Sequence, residues 1–201
     1  MTAAASHLVP PDGPQEVVLG LGSNLGDRLR YLRLATFALA AHPELEVTAG
    51  SRVWESAYVG PGTQAPYLNL VLVARTELAP AALLALAKGL EQRLGRPAGG
   101  HLQPRTVDVD ILLYGDRTGT DHLLTLPHPR LRERGFVLGP LAELQPQRVL
   151  PDCGETVAEA WSRMRAQEDG PWLWPLVEPL VSGTAPAGKE EWRAALAVHC
   201  R

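Results

Sequence analysis

Apolar positions along the chain change their period several times, and each change marks an element. Val17 to Leu21 is a short apolar run that reads as a strand, closed by Gly22-Ser23-Asn24-Leu25-Gly26-Asp27. Leu29, Leu32, Leu34 and Phe37 follow as apolar positions of a helix expected from about Asp27, near its cap, to Ala41, with Pro43 as the breaker. Glu46 to Trp54 alternates loosely through Val47, Val53 and Trp54 and predicts a second strand. A Gly/Pro-rich loop, Tyr58 to Pro66, leads into a third strand, Tyr67 to Arg75. Pro80 suits the first turn of a second helix that runs through Leu94. Arg96 to Pro104 is too rich in Gly and Pro for regular structure. Val107, Val109, Ile111 and Leu113 then alternate with Asp108, Asp110 and Leu112, which is the period of a strand. Downstream, Leu123 to Leu126 predicts a further strand, Arg130 to Leu144 helical turns around Gly135, and Glu155 to Gln167 a terminal helix.

The order β-α-β-β-α-β is the ferredoxin-like split βαβ arrangement, of class α+β, with an antiparallel sheet and both helices on one face. No internal repeat is visible. At 201 residues the chain suits one domain with tails. Residues 1–15 read as a disordered leader, 16–167 as the domain, and 168–201 as a C-terminal extension. That extension is rich in Pro, Ala and Gly, and only Lys189 to His199 looks helical. Its Trp172, Trp174 and Trp192 argue that part of it packs on something.

Charge and cysteine usage narrow the function classes. The net charge of −3 argues against non-specific nucleic-acid binding. Arginines are nevertheless dense near residues 93–105 and 130–134, which suggests a local anion site. Cys153 and Cys200 lack metal-ligand spacing and read as free thiols of a reducing compartment. Met1 to Pro14 has neither the basic nor the apolar region of a signal peptide, and no apolar run approaches membrane-span length. The expectation is a soluble cytoplasmic protein with no nucleic-acid or membrane partner. It is expected to be a monomer, with the extension as the route by which a dimer would form.

The chemistry concentrates in Pro104-Arg105-Thr106-Val107-Asp108-Val109-Asp110-Ile111. Side chains two apart on a strand share a face, so Asp108 and Asp110 point the same way. Asp is a poor strand former, and two carboxylates with Cα atoms roughly 6.5–7 Å apart repel unless a cation intervenes. Mg2+ accepts one or two carboxylates together with substrate phosphates. Arg105 beside them supplies fixed positive charge of a shape that suits phosphate oxygens.

Several segments in order resemble those of the 6-hydroxymethyl-7,8-dihydropterin pyrophosphokinase family. They are Gly22 to Asp27, Gly60-Pro61 with Tyr67-Leu68-Asn69, Glu91 with Gly95-Arg96, Pro104 to Ile111, Pro127-His128, and Arg134 to Leu138 with Pro140-Leu141. The resemblance spans about Val17 to Trp161. It implies transfer of the β,γ-pyrophosphoryl unit of ATP to the pterin hydroxymethyl oxygen, with release of AMP, in folate biosynthesis. It implies that Asp108 and Asp110 hold two Mg2+ ions and act in catalysis with Arg96 and Arg105. Glu91, Ile111, His128 and Arg134 would contact the nucleotide. Ser56, Val59, Tyr67, Asn69 and Phe136 would form the pterin pocket, Tyr67 and Phe136 as stacking walls and Asn69 at the polar edge. No general base is obvious for the hydroxymethyl group; a metal-lowered hydroxyl pKa or Asp110 itself would serve.

Gly22 to Gly26 lacks Gly-Lys-Ser/Thr and is expected to be a tight turn with helix capping, not a phosphate loop. The segment 96–104 departs from the family, where extra basic residues and a Trp usually precede Pro-Arg-Thr. It is expected to be a mobile lid with a weaker grip on ATP. Two rival readings are a ferredoxin-like module that binds a small molecule without turnover, and a metal-dependent transferase acting on another nucleotide. The first has little use for two acids on one face beside an arginine. The second leaves Tyr67-Leu68-Asn69 and Arg134-Gly135-Phe136 unexplained.

Overall fold

A computed structural model describes residues 13–96, 103–167 and the main chain of 174–177. Its centre is an antiparallel sheet whose middle strand, β1 (Gln15–Ser23), lies between β4 (Tyr67–Thr76) and β5 (Asp108–Tyr114). Both faces of these strands are covered, which is why they read as near-continuous apolar runs.

The expected second strand is two strands. β2 (Leu45–Gly50) and β3 (Val53–Ser56) pair with successive parts of β4, Leu72 to Thr76 and Tyr67 to Asn69 respectively. Ser51 makes the break. Its main-chain N–H donates to the Val71 carbonyl, and its hydroxyl oxygen accepts the Val71 N–H, both at 2.9 Å. A side chain thus satisfies the main-chain donor that a continuous ladder would have paired, as buried backbone groups require. Past the break, the Trp54 ring N–H donates to Glu143 Oε1 at 3.1 Å and the Ser56 hydroxyl accepts Asn69 Nδ2 at 2.9 Å.

Two helices, α1 (Arg28–Ala40) and α2 (Pro80–Arg93), cover one face of the sheet. The Asp27 carboxylate caps α1 by accepting the Arg30 N–H at 3.1 Å, and Pro80 occupies the first turn of α2, where a missing N–H costs nothing. Leu32, Leu39, Leu83 and Leu90 meet Val17, Leu19, Leu70, Leu72, Val109 and Ile111 in this core. The opposite face, where Val18, Val71, Leu112 and Leu113 emerge, packs on α3 (Gly135–Leu144) and α4 (Val157–Gln167). Along the chain between β5 and α3 lie a short hairpin, β6 (Gly119–Thr120) with β7 (Thr125–Leu126), and a 3-10 turn at Leu131–Glu133. The expected strand at 123–126 is therefore half as long as its apolar run. Gly139 lets α3 come close to β3: a Cβ there would lie 3.0 Å from the Trp54 ring.

One strand comes from the C-terminal extension. β8 (Trp174–Val177) pairs antiparallel with β3, Glu55 opposite Trp174, and covers an edge that would otherwise expose its N–H and C=O groups. Residues 1–12 of the leader, the helix expected at 189–199, Trp172, Trp192 and Cys200 lie outside the described residues, and Gln15 already belongs to β1. Cys153 is a free, exposed thiol. Among the described residues no helix is long and apolar enough to cross a membrane.

Candidate active site

α3 and α4 cover only part of their sheet face. Where they stop, the face of β5 that carries Leu112 continues to Asp110 and Asp108, and a cavity of about 680 Å3 opens. Both acids line it, together with Arg96, Arg105, His128 and Arg134 and with Ser56, Val59, Tyr67, Asn69 and Phe136. Eleven of the thirteen expected site residues are thus brought to one cavity. Ile111 is not among them, because its side chain points through the sheet into the α1–α2 core and is 2% exposed; only its main chain remains for a ligand. Glu91 is the other exception, buried on α2.

Glu91 acts as an internal tether. Its Oε1 accepts the Lys88 ammonium at 2.7 Å and the Val109 N–H at 2.8 Å, while Oε2 accepts Arg96. Burial pushes its pKa up despite those donors. Arg96 turns from Glu91 to Asp108 Oδ1 at 2.6 Å, and Arg105 Nη1 meets Asp108 Oδ2 at 2.8 Å. Lys88 Nζ stands 4.0 Å from Asp108. Burial works to raise the Asp108 pKa, but Arg105, Arg96 and Lys88 outweigh it and hold the carboxyl below its ordinary value. Asp110 differs. Its nearest cationic or ring nitrogens are Arg134 Nη1 at 3.8 Å and His128 Nε2 at 3.9 Å, and burial followed by the charge of Asp108 raises its pKa. Two neighbouring acids are thereby split into a firmly ionised one and a more basic one.

The donor set suits a hard divalent cation. Two carboxylate faces meet without the third His, Cys, Asp or Glu ligand of an all-protein cage among the described residues, which leaves the remaining positions to phosphate oxygens and water. The Asp110 carboxylate accepts no side-chain hydrogen bond among the described residues, so its oxygens remain available to such an ion.

His128 is oriented by its own loop. Its N–H donates to the Leu112 carbonyl at 2.9 Å, and its Nδ1 accepts the Arg130 N–H at 3.1 Å, which leaves Nε2 toward Asp110. Burial, with Arg134 and Arg130 beside it, depresses the His128 pKa to about 4, so the ring is neutral at physiological pH. A base whose folded pKa lies below its unfolded value contributes stability that is full above pH ~6.5 and is lost as the pH falls toward 4. The ligand-free protein should lose up to about 3 kcal/mol from this group over that interval. Asp110, with its raised pKa, works in the opposite sense, so the readout is the difference from His128→Gln. Chemical denaturation at pH 6.5 and 4.5 should show a flatter acid loss in the variant; parallel losses would rule this role out.

The aromatic wall has its own ring and cation contacts. Tyr67 stacks on Tyr58, with ring centroids 6.4 Å apart and planes 20° apart, while Phe136 carries the Arg134 guanidinium 5.4 Å from its centre. Asn69 Nδ2 donates to the Ser56 hydroxyl oxygen at 2.9 Å, which orients the amide. Gly22 keeps the floor open, since a Cβ there would lie 3.3 Å from Asn69 Oδ1.

Sequence reasoning missed Lys88, Tyr58, Arg130 and Glu133, all of which line the cavity. Lys88 was discoverable: it lies three residues before Glu91 and therefore on the same helix face. It also missed the tie between Asn24 and Arg105 described below. The expected lid falls largely on residues 97–102, which lie outside the described residues.

Comparisons with known proteins agree with this geometry. Residues 18–146 match the family model for 7,8-dihydro-6-hydroxymethylpterin-pyrophosphokinase. The chain is 40% identical over 156 residues to the 2-amino-4-hydroxy-6-hydroxymethyldihydropteridine pyrophosphokinase of Bacillus subtilis, covering 78% of this chain and 88% of that protein. It is 36% identical over 194 residues to the protein of the same name from Synechocystis, covering 94% and 97%. Among solved structures, an HPPK-DHPS in complex with substrates superposes with a TM-score of 0.63 at 13% identity, over 77% of this chain. A wild-type Plasmodium falciparum HPPK-DHPS with pteroate gives 0.60 at 17%, over 80%. The chain spans less than half the length of those two structures, 44% and 45%, and at such identities the likeness shows the fold alone, here the ferredoxin-like α+β arrangement. Matched along most of its length by the family model and by relatives at 36–40% identity, the chain belongs to the 7,8-dihydro-6-hydroxymethylpterin-pyrophosphokinase family.

Proposed function

We propose that the chain transfers the β,γ-pyrophosphoryl unit of ATP to the hydroxymethyl oxygen of 6-hydroxymethyl-7,8-dihydropterin, giving the pterin diphosphate and AMP in folate biosynthesis. The observation that carries this reading is that one cavity joins an acid pair ringed by Lys88, Arg96, Arg105 and Arg134 to an aromatic wall with a buried amide. The hydroxymethyl oxygen bonds to the β-phosphorus, the bond from that phosphorus to the oxygen shared with the α-phosphate breaks, and AMP leaves with the bonding pair. Such transfers rest on positioning and charge stabilisation, so no nucleophilic side chain is needed.

Asp108 and Asp110 would hold two Mg2+ ions, whose charge would offset that building on the phosphate oxygens. Arg96 and Arg105, which bond to Asp108, would turn to phosphate were that carboxylate to hold metal. A hydroxyl pKa lowered by the metal, or Asp110 itself, would serve for the loss of the hydroxymethyl proton. Arg134, the neutral ring of His128 and the main chain at Ile111 would contact the nucleotide. Tyr67 and Phe136 would enclose the pterin, with the Asn69 amide donating and accepting at its polar edge and Ser56 and Val59 completing the pocket. A cytoplasmic monomer with the catalytic unit in 16–167 is part of the same reading.

Incubation with ATP, Mg2+ and the pterin, followed by nucleotide chromatography, tests it. AMP should appear in step with the pterin diphosphate and cease with a chelator. Formation of ADP, or binding of the pterin without any AMP, would point to one of the two rival readings instead.

A further inference from the structure

The turn Gly22 to Asp27 holds no proposed ligand contact beyond the floor at Gly22, yet the side chains at and just after it reach both halves of the cavity. Asn24 is buried, 3% exposed, although it sits in a turn. Its Oδ1 accepts the Arg105 N–H at 2.8 Å, and its own N–H donates to the Arg105 carbonyl at 3.1 Å. Its Nδ2 donates to Gln64 Oε1 at 2.9 Å. Both ends of one amide are therefore committed, one to each side of the site.

Arg28, in the first turn of α1, adds a second tie. Its Nη1 donates to Glu55 Oε1 at 2.9 Å and to the Pro66 carbonyl at 2.7 Å. Glu55 adjoins Ser56 and Pro66 adjoins Tyr67, so one nitrogen joins the two ends of the loop 57–66, which carries Tyr58 and Val59 into the cavity. The Arg28 and Glu55 side chains are 29% and 33% exposed, and an ion pair so placed adds little stability. Its effect is geometric. A loop with glycine at 60 and 62 has many states open to it, and pyrophosphoryl transfer is sensitive to displacements of an ångström.

We propose that Asn24 and Arg28 are positioning residues: through Gln64, Glu55 and Pro66 they hold the pterin-side loop in register with the Arg105 arm, so that the hydroxymethyl oxygen meets the phosphates in line. This rests on the function proposed above. The brace belongs to the fold rather than to either ligand, so loosening it misaligns bound substrates without weakening the grip on the nucleotide.

The test compares Arg28→Met, Gln64→Ala and their double variant with Arg28→Lys, which keeps a cation in reach. AMP release gives kcat, calorimetry gives separate affinities for the pterin and for a non-hydrolysable ATP analogue, and hydrogen exchange reports on 57–66. The double variant should lose at least about tenfold in kcat, keep its nucleotide affinity within about twofold, and exchange faster in 57–66. Arg28→Lys should recover most of the rate. Unchanged exchange in 57–66 would overturn the brace, and so would faster exchange with undiminished kcat. A loss of nucleotide affinity and melting temperature in proportion to the loss of rate would reduce both residues to ordinary structural supports. The single variants guard against a double that fails to fold. Should the wild-type release no AMP, the functional reading falls, while hydrogen exchange still decides the brace.

Discussion

Replacing either acid of β5 by asparagine should lower turnover by at least ~10²-fold while moving the stability of the ligand-free protein in opposite directions. The shared loss follows from removing a carboxylate that would hold the metal ions whose charge offsets that of the phosphates. The opposite stability shifts follow from the two environments. Asp108 is held ionised by Arg105 and Arg96, so its folded pKa is lowered. Its contribution to stability is present above the unfolded carboxyl pKa and is lost as the pH falls through the folded one. Asp108→Asn removes the carboxylate to which Arg105, 13% exposed, donates at 2.8 Å, and should destabilise at pH 7. Asp110 has a raised pKa, so its folded state resists ionisation, and a neutral amide relieves that cost at pH 7. Melting curves without metal at pH 7 should fall for Asp108→Asn and hold or rise for Asp110→Asn. Two variants that turn over near the wild-type rate would remove the acid pair from the mechanism, and melts that shift together would deny the asymmetry.

Asn69→Leu should weaken pterin binding by about 1–3 kcal/mol, roughly 5- to 150-fold, and leave nucleotide affinity unchanged. The branch at Cγ is kept, with each methyl bulkier than the amide group it replaces, while the polar edge loses a donor and an acceptor. The Ser56 hydroxyl, buried and bonded to Asn69 at 2.9 Å, is also stripped of that partner, which adds to the penalty for a polar ligand. Calorimetry with each substrate alone separates the effects. Were nucleotide affinity to fall and pterin affinity to survive, the two halves of the cavity would have to be exchanged.

Much of the fold was legible because it rests on local periodicity. The strands at 17–21, 67–75 and 107–113 and the helices from Asp27 and Pro80 lie within one or two residues of their positions in the structure, since alternation and end signals are written in adjacent residues. The break at Ser51 was not legible. It depends on a serine hydroxyl taking the Val71 N–H, a partner twenty residues away. β8 was equally hidden, because Trp174–Val177 has no strand-like alternation and owes its state to the open edge of β3.

The same division runs through the site. The sequence by itself determined that Asp108 and Asp110 share a face, because a strand alternates, and that arginines lie near them along the chain. It determined the family through the order of its motifs. Only the tertiary structure decided that Glu91 is a buried tether, that Ile111 points into the core and that Lys88 and Tyr58 join the cavity. It alone split the two acids into a firmly ionised and a more basic one. Burial and Coulomb interactions depend on distances through space, and residues as far apart as Asn24 and Arg105 acquire those distances only when the sheet closes.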